Sequence, residues 1–150
     1  MYIYSYQKQK TIHLCIQFKF HLSKGVRQSQ LSFMGKLTTH VLDTMHGVPG
    51  ADIQVELFRV EGDSLTKMKT VTTNFDGRTD EPVLEGAAFT TGKYQLVFHV
   101  ADYYRNRDVD LGDIPFLDDV VIRFGLAEEG AHYHVPLLVS PYSFSTYRGS

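Results

Sequence analysis

Short runs of alternating apolar and polar residues, separated by turn residues, constrain the fold of this chain more than any other feature. The clearest run places Tyr94, Leu96, Phe98 and Val100 on one face, and this period of two is the repeat of a β-strand. Similar runs recur across residues 37–148 at intervals of roughly ten residues, which is typical of an all-β sandwich. The sequence therefore predicts an all-β domain.

The two ends of this patterned region contain strands that matter for the chemistry below. Residues 37–43 form the first predicted strand, and residues 131–139 and 143–148 form the last two. Pro136 lies within one of them and has no backbone N–H, so we expect it at an edge or a bulged position. A short helical turn at residues 102–107 is the one helix that the sequence predicts.

The composition of the chain changes at Met34. Residues 1–34 carry five of the fifteen Lys and Arg residues and no acid, whereas residues 35–150 carry the other ten and all seventeen Asp and Glu residues. We interpret residues 1–34 as a leader or extension outside the folded domain, and residues 35–150 as one domain. A signal peptide is the alternative for the leader, but Lys19 and His21 interrupt its apolar part.

The charge and cysteine content of the domain exclude several classes of function. Its acidic balance leaves no basic surface for phosphates, so we expect no nucleic-acid partner. No run is long and apolar enough for a transmembrane helix, so we expect no membrane partner. The only cysteine, Cys15, lies in the leader, and the domain has no thiol nucleophile. We expect a cytoplasmic location, with the periplasm and the peroxisome left open.

Histidines on the predicted strands are candidate chemical groups. His40 lies in the middle of the first strand, and His132 and His134 are two residues apart, so that both point to the same face of a later strand. A single strand histidine is more often structural, and a histidine pair also fits a metal site. No third ligand stands at a recognisable spacing, so we expect no metal.

One arginine and the absence of a nucleophile complete the chemical inventory. Arg78 follows the turn dipeptide formed by Asp76 and Gly77, where an arginine is ordinarily solvated. No serine lies in a nucleophile elbow. No phosphate-binding or dinucleotide-binding fingerprint is present, so we expect no cofactor. Chemistry in this domain would have to be the attack of water, assisted by histidines.

Four separated elements of the sequence together resemble a known family. They are LTTHVLD at 37–43, NFDGR at 74–78, HYHVPLL at 132–138 and SPYSFSTYRGS at 140–150. In this order they are similar to the motifs of the 5-hydroxyisourate hydrolases, the transthyretin-related proteins of purine breakdown. Transthyretin itself shares the SPYSxST part of the tail but lacks YRGS.

The resemblance implies a fold and a reaction. The fold is a transthyretin-like (prealbumin-like) β-sandwich of two four-stranded sheets with one short helix, assembled as a homotetramer whose central channel holds the active sites. The reaction is the hydrolysis of 5-hydroxyisourate, a small molecule of urate catabolism, to 2-oxo-4-hydroxy-4-carboxy-5-ureidoimidazoline. A transthyretin-like carrier of small molecules, without catalysis, is the alternative.

The resemblance also implies roles for the candidate residues. Three of them match the family's catalytic positions, namely His40, Arg78 and His134. Four more are expected to contact the substrate: His132, Tyr147, Arg148 and Ser150. Which histidine acts as base and which as acid stays open at this point. A carrier of an apolar ligand has no evident use for two histidines and an arginine at one site, because each costs desolvation energy.

Overall fold

A computed structural model describes residues 35–149 of the chain. In this range the chain forms eleven β-strands, a 3-10 turn at Gly86–Ala88 and one α-helix, α1 (Val100–Arg105). The strands are β1 (Lys36–Thr38), β2 (Val41–Asp43), β3 (Val48–Pro49), β4 (Gln54–Glu61), β5 (Ser64–Thr72), β6 (Leu84–Glu85), β7 (Gly92–His99), β8 (Asp119–Leu126), β9 (His132–His134), β10 (Leu137–Ser140) and β11 (Ser143–Ser145).

The four longest strands form one antiparallel sheet in the order β5-β4-β7-β8. The period of two is visible in the burial of β4 and β8, whereas the central strand β7 is buried along both faces from residue 94 to residue 98. Tyr94, Leu96 and Phe98 are fully buried, whereas Val100 begins the helix instead of continuing the strand. The apolar face of this sheet is one wall of the core.

The opposite layer contains two ladders, ordered β6-β1-β9 and β11-β10-β2-β3. The predicted first strand is thus split into β1 and β2, and the predicted strand at 131–139 into β9 and β10. The register is nevertheless continuous, since Thr38 lies opposite His134 and Val41 lies opposite Leu137 in parallel pairs. The two four-stranded sheets that were expected are present, as β5-β4-β7-β8 and β11-β10-β2-β3, and the three-stranded ladder β6-β1-β9 is additional.

Pro136 lies at the break between β9 and β10. It belongs to neither strand: β9 before it is the edge of the β6-β1-β9 ladder, whereas β10 after it pairs with β2 on one side and with β11 on the other. The interruption itself agrees with the missing backbone N–H of proline. Two hydrogen bonds span the break, from the Val135 N–H to the Thr38 carbonyl at 3.0 Å and from the Leu137 N–H to the His40 carbonyl at 2.8 Å.

Helix α1 begins two residues before the predicted turn and is tied to β2 by a buried carboxylate. Asp43 is 1% exposed, and its oxygens accept hydrogen bonds from the hydroxyls of Tyr103 and Tyr104 at 2.9 and 3.0 Å. The helix is short, and residues 35–149 include none with the length and apolar character needed to cross a membrane.

Candidate active site

The two histidines of β9 lie on one face of their strand. His132 and His134 point to the same side, while Tyr133 between them is 4% exposed and packs into the core, as the alternation predicted. The Thr38 hydroxyl lies 2.8 Å from Nε2 of His132 and 2.9 Å from Nδ1 of His134. The parallel pairing of β1 with β9 brings this threonine to the histidine face.

A glycine turn brings the arginine to the same face. The chain turns at residues 74–77, where Asn74 Oδ1 accepts hydrogen bonds from the backbone N–H groups of Asp76 and Arg78 at 3.0 and 3.1 Å. Gly77 has φ of 72° and packs so closely on β2 that a Cβ atom would collide with the Val41 carbonyl oxygen. Glycine alone tolerates both conditions. The turn therefore places Arg78 in a backbone bridge with His40.

These elements surround a polar cleft of about 380 Å³. Its lining side chains carry hydroxyl, guanidinium and imidazole groups: Thr38, Thr39, Arg78, Thr79, His132 and His134. Among residues 35–149, no carboxylate forms an ion pair with Arg78. The cleft thus presents a cation and neutral proton carriers to a ligand, which suits a substrate with several carbonyl oxygens.

The electrostatic environment keeps the three histidines neutral at physiological pH. Burial, followed by the charge of Arg78, lowers the pKa of His40 below its ordinary value. Burial is also the largest cause of the lowered pKa of His134, with Arg78 next. The pKa of His132 is lowered by burial and then by Lys36. A neutral imidazole can accept a proton from water, so all three rings are in the form that base catalysis requires.

The C-terminal tail reaches both faces of β9. Gly149 exchanges two backbone hydrogen bonds with His134, at 2.8 and 3.2 Å, and a Cβ atom there would come within 3.0 Å of the His134 ring. Arg148 instead stacks on the Tyr133 ring, with its guanidinium carbon 4.4 Å from the ring centroid. Together with Tyr147 it lines a second cleft of about 220 Å³.

The predicted site residues therefore separate into three groups. Arg78, His132 and His134 line one cleft, and His40 lies beside it, in a backbone bridge with Arg78 and close enough for its charge to act on His134. Tyr147 and Arg148 line the other cleft, on the Tyr133 side of β9, so their contact with substrate remains a prediction. Ser150 lies outside the described residues.

Two residues of the site were missed by reasoning from the sequence. Thr38 bonds both histidines of β9, and Gly149 packs on the ring of one of them. The alternation in LTTHVLD places Thr38 on the same face as His40, and this feature of the sequence could have identified Thr38 as a residue of the site. No local pattern indicates that β1 and β9 pair in parallel, so the contact of Thr38 with His134 could not be inferred.

No cluster of three or more potential metal ligands occurs within residues 35–149.

The sequence of the chain matches a known protein family and several of its members. The family model described as HIUase/Transthyretin family matches residues 37–149. The chain is 62% identical over 117 residues to a 5-hydroxyisourate hydrolase of Pseudomonas aeruginosa, covering 78% of this chain and 93% of that protein. It is 55% identical over 120 residues to 5-hydroxyisourate hydrolase 2 of Rhizobium meliloti, covering 80% of this chain and all of that one.

Solved structures share the fold. Klebsiella pneumoniae 5-hydroxyisourate hydrolase superposes with a TM-score of 0.63 at 29% identity, covering 78% of this chain and 94% of that one. Sea bream transthyretin, in complex with thyroxine, gives a TM-score of 0.68 at 25% identity, covering 76% and 94% of the two chains. By sequence and by fold, this chain belongs to the HIUase/transthyretin family.

Proposed function

We propose that this protein is an enzyme that hydrolyses 5-hydroxyisourate to 2-oxo-4-hydroxy-4-carboxy-5-ureidoimidazoline, a step of urate catabolism. The observation that carries the proposal is the cleft lined by Arg78, His132 and His134, with His40 bridged to Arg78, in a chain 62% identical to a 5-hydroxyisourate hydrolase.

The reaction opens a ring by adding water to an activated carbonyl carbon. A bond forms between the water oxygen and that carbon, the ring C–N bond breaks, and a proton passes from water to the leaving nitrogen. We assign the removal and the return of this proton to His40 and His134, because burial and the charge of Arg78 lower the pKa of both and so favour their neutral forms. Arg78 binds the carbonyl oxygens through its planar guanidinium and stabilises the negative charge that develops on them.

Assembly as a homotetramer is part of the proposal. Within residues 35–149, β8 and β11 are edge strands, each with one side not paired to another strand. Several aromatic side chains close to this region of the surface are exposed, namely Phe116, Tyr142 and Phe144, and the rings of the first two lie 6.2 Å apart. Open strand edges and exposed aromatic groups favour association with further copies.

The cytoplasm is the compartment that we propose for the enzyme.

The carrier alternative predicts a different lining. The solved transthyretin with this fold binds thyroxine, so a carrier function is available to the architecture. The cleft described above is lined by threonines, histidines and an arginine, and burying such groups under an apolar ligand costs free energy unless each finds a partner. The polar lining therefore favours catalysis over carriage.

A spectroscopic assay tests the proposal. Freshly generated 5-hydroxyisourate decays spontaneously, and its ultraviolet absorbance should decay faster in the presence of the protein. Alanine substitution of His40, Arg78 or His134 should lower the rate by about a hundredfold. His99→Gln, a substitution on β7 away from the cleft, serves as the matched control and should retain turnover. Decay at the spontaneous rate with the folded wild-type protein would refute the enzymatic assignment.

A further inference from the structure

One hydroxyl group connects two imidazole rings in the cleft. The Thr38 oxygen is 2.8 Å from Nε2 of His132 and 2.9 Å from Nδ1 of His134. A hydroxyl has a single proton to donate. The Thr38 hydroxyl can donate at most one of these two hydrogen bonds, so at least one ring N–H donates to the Thr38 oxygen.

This constraint links the tautomers of the two rings. When Thr38 donates to Nε2 of His132, Nδ1 of His134 holds a proton and the lone pair of its Nε2 is available to water. In the opposite arrangement, His132 Nε2–H donates to Thr38 and Thr38 donates to His134 Nδ1, so a neutral His134 has its proton on Nε2. Passing from the first arrangement to the second moves one proton from Nδ1 of His134 to the Thr38 oxygen and one from Thr38 to Nε2 of His132, and it requires a further proton at Nε2 of His134. His132 then holds protons on both ring nitrogens until it releases one.

We propose that Thr38 is a positioning residue and a proton relay, through which His134 acts as the base and His132 holds the proton. This rests on the proposed function. As water attacks, its proton passes to Nε2 of His134, the Nδ1 proton of His134 passes to the Thr38 oxygen, and the Thr38 proton passes to Nε2 of His132. His134 ends neutral in its other tautomer, and His132 becomes an imidazolium.

The return of the proton follows the same path. The Nε2 proton of His132 passes to the Thr38 oxygen, the Thr38 proton passes to Nδ1 of His134, and the Nε2 proton of His134 passes to the leaving nitrogen as the C–N bond breaks. All three protein groups recover their starting state. The relay consumes no oxidant, reductant or metal, because only protons move.

The surroundings of the two rings favour this direction. His134 is partly buried and faces the positive charge of Arg78, with His40 nearby, so a second positive charge on it is costly. Burial and then Lys36 also lower the pKa of His132, but its side chain is the more exposed of the two, and the charge that acts on it is that of Lys36 rather than that of Arg78. Since water stabilises a charge at the exposed ring better than the cleft does, the proton is held more favourably on His132.

Replacement of the hydroxyl by a methyl group tests the relay. Thr38→Val keeps the shape of the side chain and should lower kcat at least about tenfold, with KM changed little, because substrate contacts remain. Thr38→Ser keeps the hydroxyl and is the matched control, expected to retain most of kcat. Unchanged kcat and unchanged pH profile in a folded Thr38→Val protein would overturn the proposal.

A second substitution covers the case in which Thr38→Val does not fold. His132→Gln, at an exposed position, removes the proton acceptor and should lower kcat to a similar degree. The double variant of Thr38→Val and His132→Gln should lose no more than either single variant, because both interrupt one path. Losses that multiply, or a rise in KM alone for His132→Gln, would refute the relay and leave His132 as a substrate contact.

A measurement without substrate separates this inference from the proposed function. In the wild-type protein, ¹H–¹⁵N spectra should show that, of the two imidazole nitrogens facing Thr38, one is protonated and the other is not. The tautomers of the two rings are then linked. Thr38→Val should abolish that link. If the wild type and Thr38→Val have identical tautomer populations, the relay is refuted even if the protein hydrolyses 5-hydroxyisourate. If the tautomers are linked but the protein does not hydrolyse 5-hydroxyisourate, the proposed reaction is refuted, and with it the use of the link in catalysis.

Discussion

Asn in place of Asp43 should strongly destabilise the domain while leaving the active-site cleft intact. The Asp43 carboxylate is buried and accepts five hydrogen bonds, from the N–H groups of Met45 and His46, from Nδ1 of His46 and from the hydroxyls of Tyr103 and Tyr104. These bonds join β2 to the following turn and to α1. Burial raises the pKa of Asp43, but the hydrogen bonds outweigh it, so the pKa lies below its ordinary value.

The magnitude follows from the two oxygens. The amide oxygen of Asp43→Asn can keep the three bonds now made to Oδ1, but the amide nitrogen replaces Oδ2 and faces two donors, at His46 Nδ1 and the Tyr103 hydroxyl. Hydrogen bonds to a charged group contribute about 1.5–3 kcal/mol each. Rotation of the Tyr103 hydroxyl recovers part of one bond, so we expect a loss of about 3 kcal/mol in the free energy of unfolding.

Urea denaturation at one fixed protein concentration measures this loss, since assembly would couple to unfolding. With a slope of about 2 kcal/mol/M, the midpoint should fall by roughly 1.5 M. Tyr103→Phe should lose about half as much, whereas Tyr142→Phe, which removes an exposed hydroxyl, should lose under about 0.5 kcal/mol. Turnover of folded Asp43→Asn should stay near that of the wild type.

The pH dependence supplies an internal check with a definite sign. Because the folded-state pKa of Asp43 is depressed, its contribution is present above the unfolded value of about 3.9 and is lost as pH falls through the folded value. The difference between wild type and Asp43→Asn should therefore narrow at acid pH. A loss below about 1 kcal/mol at neutral pH, or equal effects of Tyr103→Phe and Tyr142→Phe, would refute the reasoning.

Three further outcomes are expected from the same features. Turnover should fall on acidification with a midpoint below the ordinary histidine value of about 6.5, because the pKa of His134 is lowered; a profile that is flat there would contradict base catalysis. A chain beginning at Met34 should keep the fold, assembly and turnover, and a large drop in melting temperature would show that the leader packs on the domain. A chain ending at Thr146 should stay folded yet lose most turnover, since it lacks the Gly149 bonds to His134; unchanged turnover in a natively assembled protein would remove the tail from the mechanism.

The strands and the face of each histidine could be predicted because both depend on local alternation. The burial of Tyr94, Leu96 and Phe98, and the shared face of His132 and His134, follow from the period of two and agree with the structure. A side chain's direction relative to its own strand is a local property. This part of the site was therefore readable from the residues.

The contacts between distant segments could not be predicted in the same way. The pairing of Thr38 with His134 depends on a parallel register between strands nearly a hundred residues apart, and no turn fixes such a register. The direction of Arg148 depends on its stacking over Tyr133, which places it away from the cleft that the motif suggested. Long-range pairing and stacking are decided by packing of the whole domain.

The alternation of β1 and β2 separates stability from catalysis within one stretch of chain. Residues at odd positions, from Leu37 through Val41 to Asp43, are buried and hold the two layers and the helix together. Thr38 and His40 at even positions face the cleft side, where Arg78 and the histidines of β9 lie. Substitutions at odd positions should therefore change the free energy of unfolding more than turnover, and those at even positions the reverse. The same period of two that specifies the fold thus also directs the proposed catalytic groups, and a one-residue shift of this strand would exchange the two sets of side chains and abolish both properties.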